Sequence, residues 1–147
     1  MTDPTPEEAE RFVAAFQDYW TAPSPERMTE LLTDDVVLIQ PLAEPMVGIE
    51  AAQAEFRRLL DWLPDLRAEV DHWAYRDGIL FIEFRLSATL KGEHVEWPVV
   101  DRFTFRDGLA NKRITWFDPL PLLAKVGKKP SSWWSWWQSG AARPWRS

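Results

Sequence analysis

The chain has 147 residues, of which 46% are hydrophobic and 27% are charged, as expected for one globular domain with a hydrophobic core. It contains no cysteine and only two histidines, so disulfides, thiolate catalysis and histidine-rich metal sites are not expected, and neither a metal nor a cofactor is predicted. The formal net charge of −6 argues against nucleic acid as the main partner.

The first third of the chain carries helical patterns. Residues 5–8 combine a capping box with a proline at the first helical position. Phe12, Phe16 and Trp20 then recur at helical spacing, which predicts an amphipathic helix. Ser24 can cap a short second helix.

A strand and a third helix are predicted next. Residues 36–40 predict a buried strand that ends at Pro41, and Gly48 precedes a helical pattern. The predicted buried stripe of that helix is formed by Ala52, Phe56, Leu59, Leu60 and Leu63.

From Leu66 onward the apolar residues alternate with period two. This pattern predicts strands near residues 68–75, 79–89, 95–105 and 112–118. A short turn that contains glycine separates each of these strands from the next. Strands that follow each other in the sequence are therefore expected to pair antiparallel. The sequence therefore predicts an α+β fold in which helices pack on one face of a meander.

Asp101 is the most informative residue of the 95–105 strand. It shares one face with Val95, Trp97, Val99, Phe103 and Phe105. A lone carboxylate in such a row must find a partner, take up a proton or meet a ligand. It therefore predicts a polar point within an apolar cavity.

The order of these elements resembles the nuclear transport factor 2-like (NTF2-like) superfamily, and the SnoaL-like branch in particular. The resemblance covers roughly residues 7–126 and is carried by Asp34-Asp35 before the first strand, by Gly48, by residues 101–108 and by residues 116–118. It implies a cone-shaped fold, with a curved antiparallel sheet wrapped around the N-terminal helices, an internal cavity and often a dimer through the outer sheet face. Members include ketosteroid isomerase, limonene epoxide hydrolase, polyketide cyclases and non-catalytic domains.

The catalytic groups of these relatives are mostly replaced in this chain. The ketosteroid isomerase base position falls on Gln40 and its tyrosine position on Phe16, so that only Asp101 is retained. The acid of the cyclases, and the final acid of the epoxide hydrolase, fall on Thr115. The resemblance therefore implies no intact catalytic set.

Glu83, Arg85 and Asp101 remain as the predicted catalytic cluster. Glu83 and Arg85 share one face of their strand, and pairing with the next strand would place one of them close to Asp101. In one interpretation Arg85 lowers one carboxyl pKa while the other pKa is raised, which prepares an acid or a base. In a second interpretation the three residues form a structural ion cluster. In a third, a β-bulge moves these side chains to the opposite face of the sheet, so that the cluster does not form.

Further residues are predicted to line a ligand cavity. They are Phe16, Trp20, Gln40, Phe56, His72, Trp97, Phe103 and Thr115. The alternatives are that the aromatic rings belong to a filled core, that His72 is a structural histidine and that Gln40 is a satisfied amide at the end of a strand.

An apolar outer sheet face is also predicted. It would consist of Leu80, Ile82, Phe84 and Leu86, with Val100 and Trp116. Such a face is too large to remain in water, so a two-fold homodimer through it is expected.

The sequence predicts a domain over residues 1–126 and a basic, tryptophan-rich tail over residues 127–147. Half of the ten tryptophans lie in this tail. Five basic residues and no acidic residue follow Asp118, whereas the chain up to Asp118 has 12 basic and 23 acidic residues. The tail is predicted to pack on its own body or on a dimer mate. Contact with a membrane interface or with single-stranded nucleic acid is the less favoured interpretation.

Two classes of function stay open. The first is a cofactor-independent acid–base enzyme of isomerase, cyclase or hydrolase type that acts on a small, mostly apolar molecule. The second is a non-catalytic ligand-binding or assembly module, and the volume of the cavity should distinguish them. The chain has no apolar run long enough to span a membrane, and its first residues do not resemble a signal peptide, so a cytoplasmic location is expected.

Overall fold

The computed structural model describes residues 3–128 and 130–140. It contains four α-helices: α1 (Pro6–Tyr19), α2 (Ile49–Trp62), α3 (Leu120–Lys128) and α4 (Pro130–Ser139). A short 3₁₀ helix, Glu26–Glu30, follows α1. The strands are β1 (Leu32–Ile39), β2 (Met46–Val47), β3 (Arg67–Arg76), β4 (Ile79–Leu90), β5 (Glu93–Arg106) and β6 (Leu109–Trp116). The predicted α+β class is confirmed.

The predicted start of α1 is confirmed. The Thr5 hydroxyl accepts a hydrogen bond from the Glu8 amide at 3.2 Å, and the Glu8 carboxylate accepts one from the Thr5 amide at 2.6 Å. These two bonds satisfy amides that a helix leaves without an internal partner. The helix then buries Phe12, Val13 and Phe16 against the sheet.

Replacing the capping residue should have a measurable cost. We expect Thr5→Ala to lower the free energy of unfolding by about 1 kcal/mol, because the Glu8 amide loses its acceptor. Gln17→Ala, on the exposed face of α1, is the control, and it should change this free energy by less than about 0.5 kcal/mol. Urea unfolding of both variants measures the difference.

The six strands form one mixed sheet in the order β2-β1-β6-β5-β4-β3. Strands β3 to β6 form the predicted antiparallel meander. In each of its tight turns the residue before the glycine has a left-handed backbone conformation; these residues are Asp77, Lys91 and Asp107. Strand β1 lies parallel to β6, and β2 continues the sheet beyond it. The resemblance implied an antiparallel sheet, and the parallel pairing of β1 with β6 makes the sheet mixed instead.

The register between β4 and β5 decides which side chains face the helices. Ile82 is opposite Asp101, and Glu83 is opposite Val100. Side chains that are directly opposite lie on the same face, so Ile82 joins Asp101 on the inner face while Glu83 lies on the outer face.

The predicted apolar outer face is therefore only partly correct. Leu80, Ile82 and Phe84 are buried in the core and Leu86 is half-buried, because the helices pack on the face that carries them. Val100 and Trp116 do lie on the outer face, directly opposite each other on β5 and β6. Phe81 joins them there, and it is 42% exposed, while Trp116 is 49% exposed.

The last two helices extend the fold past the sheet. The Asp118 carboxylate accepts a hydrogen bond from the Leu120 amide at 3.0 Å at the start of α3. Helix α3 continues through Lys128, so the predicted boundary between residues 126 and 127 falls inside it. Helix α4 contacts both α2 and α3. None of the helices described is long and apolar enough to cross a membrane.

Candidate functional site

A cavity of about 140 Å³ lies among the helices and the inner face of the sheet. Its wall is mostly apolar. Seven of the residues predicted to line a ligand cavity belong to this wall: Phe16, Trp20, Gln40, Phe56, Trp97, Phe103 and Thr115. His72 does not, because its side chain is exposed to solvent on β3.

Asp101 is the buried carboxylate of this cavity. It is 2% exposed, and it lies directly opposite Thr115 on β6. The Thr115 hydroxyl donates a hydrogen bond of 2.5 Å to the Asp101 carboxylate. Burial raises the pKa of Asp101 above its ordinary value, and the charge of Arg113 and the Thr115 hydrogen bond oppose this increase. The environment thus favours the protonated carboxyl group more than water does.

Arg113 is a cavity residue that the sequence analysis missed. It lies on β6 opposite Phe103, and its guanidinium donates a hydrogen bond of 2.7 Å to the Gln40 side-chain oxygen. Its Nε atom is buried and has no hydrogen-bond partner among the described residues. Period two along β6 places residues 113 and 115 on one face, so the sequence did carry a signal for this arginine.

Three indole groups add further donors to the cavity wall. Trp20, Trp62 and Trp97 all line the cavity, and their Nε1 atoms are buried without a partner in the described part of the chain. An indole N–H can only donate. A buried donor without a partner is costly, so these three N–H groups are unsatisfied polar atoms close to the cavity.

Glu55 is a second buried carboxylate that the apolar pattern of α2 did not predict. It lines the cavity and accepts two hydrogen bonds from Arg58, at 2.7 and 3.1 Å. Glu55 is therefore paired with a cation of its own helix, whereas the hydrogen-bond partner of Asp101 is the neutral Thr115 hydroxyl.

The predicted cluster of Glu83, Arg85 and Asp101 does not form. Arg85 lies on the outer face, where its guanidinium binds the Asp71 carboxylate at 2.9 Å and approaches Glu69 and Glu96 at 3.5 Å each.

The pairing of Arg85 with Asp71 has a clear electrostatic effect. The hydrogen bond from Arg85 lowers the pKa of Asp71, and the same bond raises the pKa of Arg85. Glu83 is exposed and lies 3.8 Å from the nitrogen of His72. Arg85 thus belongs to a surface ion network, and Asp101 is left with different neighbours.

No group of three or more histidine, cysteine, aspartate or glutamate side chains within residues 3–128 and 130–140 could hold a metal ion. The polar side chains that line the cavity include those of Asp101, Thr115, Arg113, Gln40 and Glu55.

Comparison with protein families identifies the fold. The model of the SnoaL-like domain matches residues 9–113, which is most of the chain. The chain belongs to the SnoaL-like family. This agrees with the resemblance drawn from the order of its elements, and it places α3 and α4 outside the matched part. A search of curated proteins returned no match.

Solved structures of the family are similar over most of their length. A proposed SnoaL-like polyketide cyclase from Jannaschia sp. CCS1 is 20% identical, with a TM-score of 0.75 over 88% of this chain and 100% of that one. IdmH, a proposed polyketide cyclase from Streptomyces antibioticus, is 18% identical. Its TM-score is 0.69, and the match covers 81% of this chain and 98% of that one. A hypothetical protein with a ketosteroid isomerase-like fold from Catenulispora acidiphila DSM 44928, in complex with trimethylamine, is 18% identical. Its TM-score is 0.71, and the match covers 84% of this chain and 95% of that one. At these identities the similarity shows the fold alone.

Proposed function

We propose that this SnoaL-like protein binds a small, mostly apolar molecule in its cavity and carries out cofactor-independent acid–base chemistry on it. Asp101 is the group that would exchange the proton. The observation that carries this proposal is a carboxylate only 2% exposed in an apolar cavity, with the Thr115 hydroxyl as its hydrogen-bond partner. A carboxyl group with a raised pKa is closer to the pH at which acid–base catalysts work best.

The size of the cavity supports a small ligand. An engineered apolar cavity of about 150 Å³ takes up benzene, and the cavity here measures about 140 Å³. Typical sites for larger ligands have about 300–1,000 Å³. A molecule with a single ring therefore fits best.

The donors of the wall support a ligand that carries an acceptor oxygen. The Arg113 Nε and the Trp97 Nε1 atoms lack partners among the described residues. In the reaction we propose, the Asp101 carboxylate takes a proton from the carbon next to a carbonyl group. The negative charge then develops on the carbonyl oxygen, where one of these donors would stabilise it, and Asp101 returns the proton.

A non-catalytic ligand-binding module of the same fold is the second candidate. Its support is the raised pKa of Asp101, since a carboxyl group that stays protonated can donate a hydrogen bond to a ligand but cannot remove a proton from it. The modest cavity volume also fits this function.

Hydrogen exchange of a small ketone separates the two candidates. Cyclohexanone has one ring, one acceptor oxygen and exchangeable protons next to its carbonyl group. We expect the protein to accelerate the replacement of these protons by deuterium in D₂O, and proton NMR measures the rate. We expect Asp101→Asn to bind the ketone but to lose the acceleration.

Glu83→Gln is the matched control for this experiment. It removes one carboxylate from the outer face of the sheet and should leave the exchange rate unchanged. Binding of cyclohexanone without acceleration by the unmodified protein would support the non-catalytic module. Equal acceleration by Asp101→Asn would contradict the assigned role of Asp101.

The exposed outer face supports the expected homodimer in a corrected form. We propose that Phe81, Val100 and Trp116 form the centre of a two-fold interface. We expect the protein to sediment as a dimer at micromolar concentration and Trp116→Lys to sediment as a monomer. Trp73→Lys, a similarly exposed tryptophan on β3, should leave the dimer intact. A monomeric unmodified protein would exclude this interface.

A further inference from the structure

Helix α4 exposes an unusual set of side chains. Trp133, Trp134 and Trp137 are 50%, 67% and 51% exposed. At 3.6 residues per turn these three lie within an arc of about 100°. We call this set the tryptophan face. Trp136 lies outside that arc and packs on Trp62 of α2, with the two ring centroids 6.5 Å apart. The expected packing of the tail on its own body is thus seen for Trp136, whereas the rings of the tryptophan face remain at least half-exposed. Trp145, the fifth tryptophan of the tail, lies outside the described residues.

The tryptophan face is presented by a scaffold that packs on the core. Leu122 and Val126 of α3 are buried, and the Trp133 indole donates a hydrogen bond of 2.5 Å to the Val126 carbonyl oxygen. A surface helix normally turns its apolar side chains toward the core and its polar ones toward water. Helix α4 instead directs large apolar rings outward, which marks an interaction surface.

Charge identifies the kind of surface that would bind there. Lys128 is exposed and Lys125 is half-buried on the adjacent α3, and no acidic residue follows Asp118 in the sequence. Tryptophan is enriched where a membrane meets water, and a helix that combines such rings with nearby lysines binds in the plane of that interface. Beyond the activity proposed for the cavity, we propose that the tryptophan face and these lysines dock the protein on an anionic lipid surface.

A second copy of the chain is a poorer occupant of the tryptophan face. A two-fold contact between two such faces would bring together two segments that are both positively charged, which is unfavourable. A contact between the tryptophan face and the acidic body of another copy closes into a dimer only if both reciprocal contacts form about one two-fold axis, and otherwise it forms open chains. A lipid surface has neither difficulty.

The docked helix would also lie against the ligand cavity. Trp62, which packs on Trp136, lines the cavity, and so does Leu122 of α3. An apolar ligand dissolved in a membrane would thus meet the protein beside the wall of its cavity.

Vesicle flotation tests the proposal with the full chain. We expect the protein to float with vesicles of equal parts phosphatidylcholine and phosphatidylglycerol, and only weakly with phosphatidylcholine alone. Replacing Trp134 and Trp137 by glutamine should lower the partition constant about tenfold or more. Replacing Lys125 and Lys128 by glutamine should lower it about fivefold per lysine on the anionic vesicles only.

The matched control removes two other exposed apolar side chains, Val47 and Trp73, by the same change to glutamine. These residues lie outside α3 and α4, so partitioning should be unchanged. Failure of the unmodified protein to float, or equal loss by the control, would overturn the proposal. So would a Trp134/Trp137 variant that floats normally but changes its sedimentation, since the tryptophan face would then belong to a protein contact. None of these outcomes depends on the activity of the cavity.

Discussion

Phe103→Ala should lower the free energy of unfolding by about 3–5 kcal/mol, which is the usual cost of removing a buried aromatic ring. Phe103 is among the largest fully buried side chains, and its ring centroid lies 5.1 Å from that of Phe12 and 6.0 Å from that of Phe16 in edge-to-face contacts. The ring also lines the cavity, so the variant should accept larger apolar ligands. Chemical denaturation measures the first effect, and titration with ligands of increasing size measures the second.

Phe81→Ala is the control for this prediction. It makes the same change on the neighbouring strand, but on the outer face, where the ring is 42% exposed. The loss should be below about 1 kcal/mol when it is measured at low protein concentration. Equal losses at the two positions would mean that the assignment of inner and outer faces is wrong.

Arg113→Met should lower the free energy of unfolding by about 1–3 kcal/mol at neutral pH, because it removes a cation that favours the charged form of buried Asp101. Arg113 also donates the hydrogen bond that satisfies the Gln40 oxygen. Denaturation of the variant across a range of pH measures the loss, and Lys112→Met, an exposed neighbour on β6, should have little effect.

The sign of the pH dependence follows from the raised pKa of Asp101. Relative to the unfolded chain, whose aspartate titrates near 3.8, the folded protein favours the protonated form. The stabilisation from this raised pKa is fully present below 3.8 and is lost as the pH rises through the folded pKa. Removing Arg113 raises the pKa of Asp101 further. The loss in free energy of unfolding caused by Arg113→Met should therefore be larger at neutral pH than in mild acid. Combining it with Asp101→Asn should cancel most of this difference, and an unchanged difference would contradict the coupling.

Local patterns predicted much of the fold. The capping box at Thr5 and the period-two strands appear close to where the sequence placed them. The parallel pairing of β1 with β6 was not predicted, since it joins segments about 75 residues apart and has no local signature. Helix α4 was missed because its polar and apolar residues follow no pattern that a buried face would impose.

The candidate site was predicted in part. Asp101 does lie buried in an apolar row, as its strand pattern indicated. Placing Glu83 and Arg85 beside it was wrong, and the turn at Lys91-Gly92 explains why. This turn pairs Leu90 with Glu93, and counting back along both strands sets Ile82 opposite Asp101. Arg113 was not predicted, although it alternates with Thr115 on β6 and therefore shares the inner face with Asp101.

The carboxyl carbon of Asp101 gives the most direct test of the account. Its chemical shift can be followed against pH by NMR in protein labelled at aspartate, with Asp101→Asn to assign the signal. We predict a pKa above the ordinary value of 3.8, because burial in the apolar cavity outweighs the opposing effects of Arg113 and the Thr115 hydroxyl. It also predicts that this pKa changes when cyclohexanone binds. A pKa at or below 3.8 that cyclohexanone does not change would contradict the assignment of Asp101 as the proton-exchanging group of the cavity.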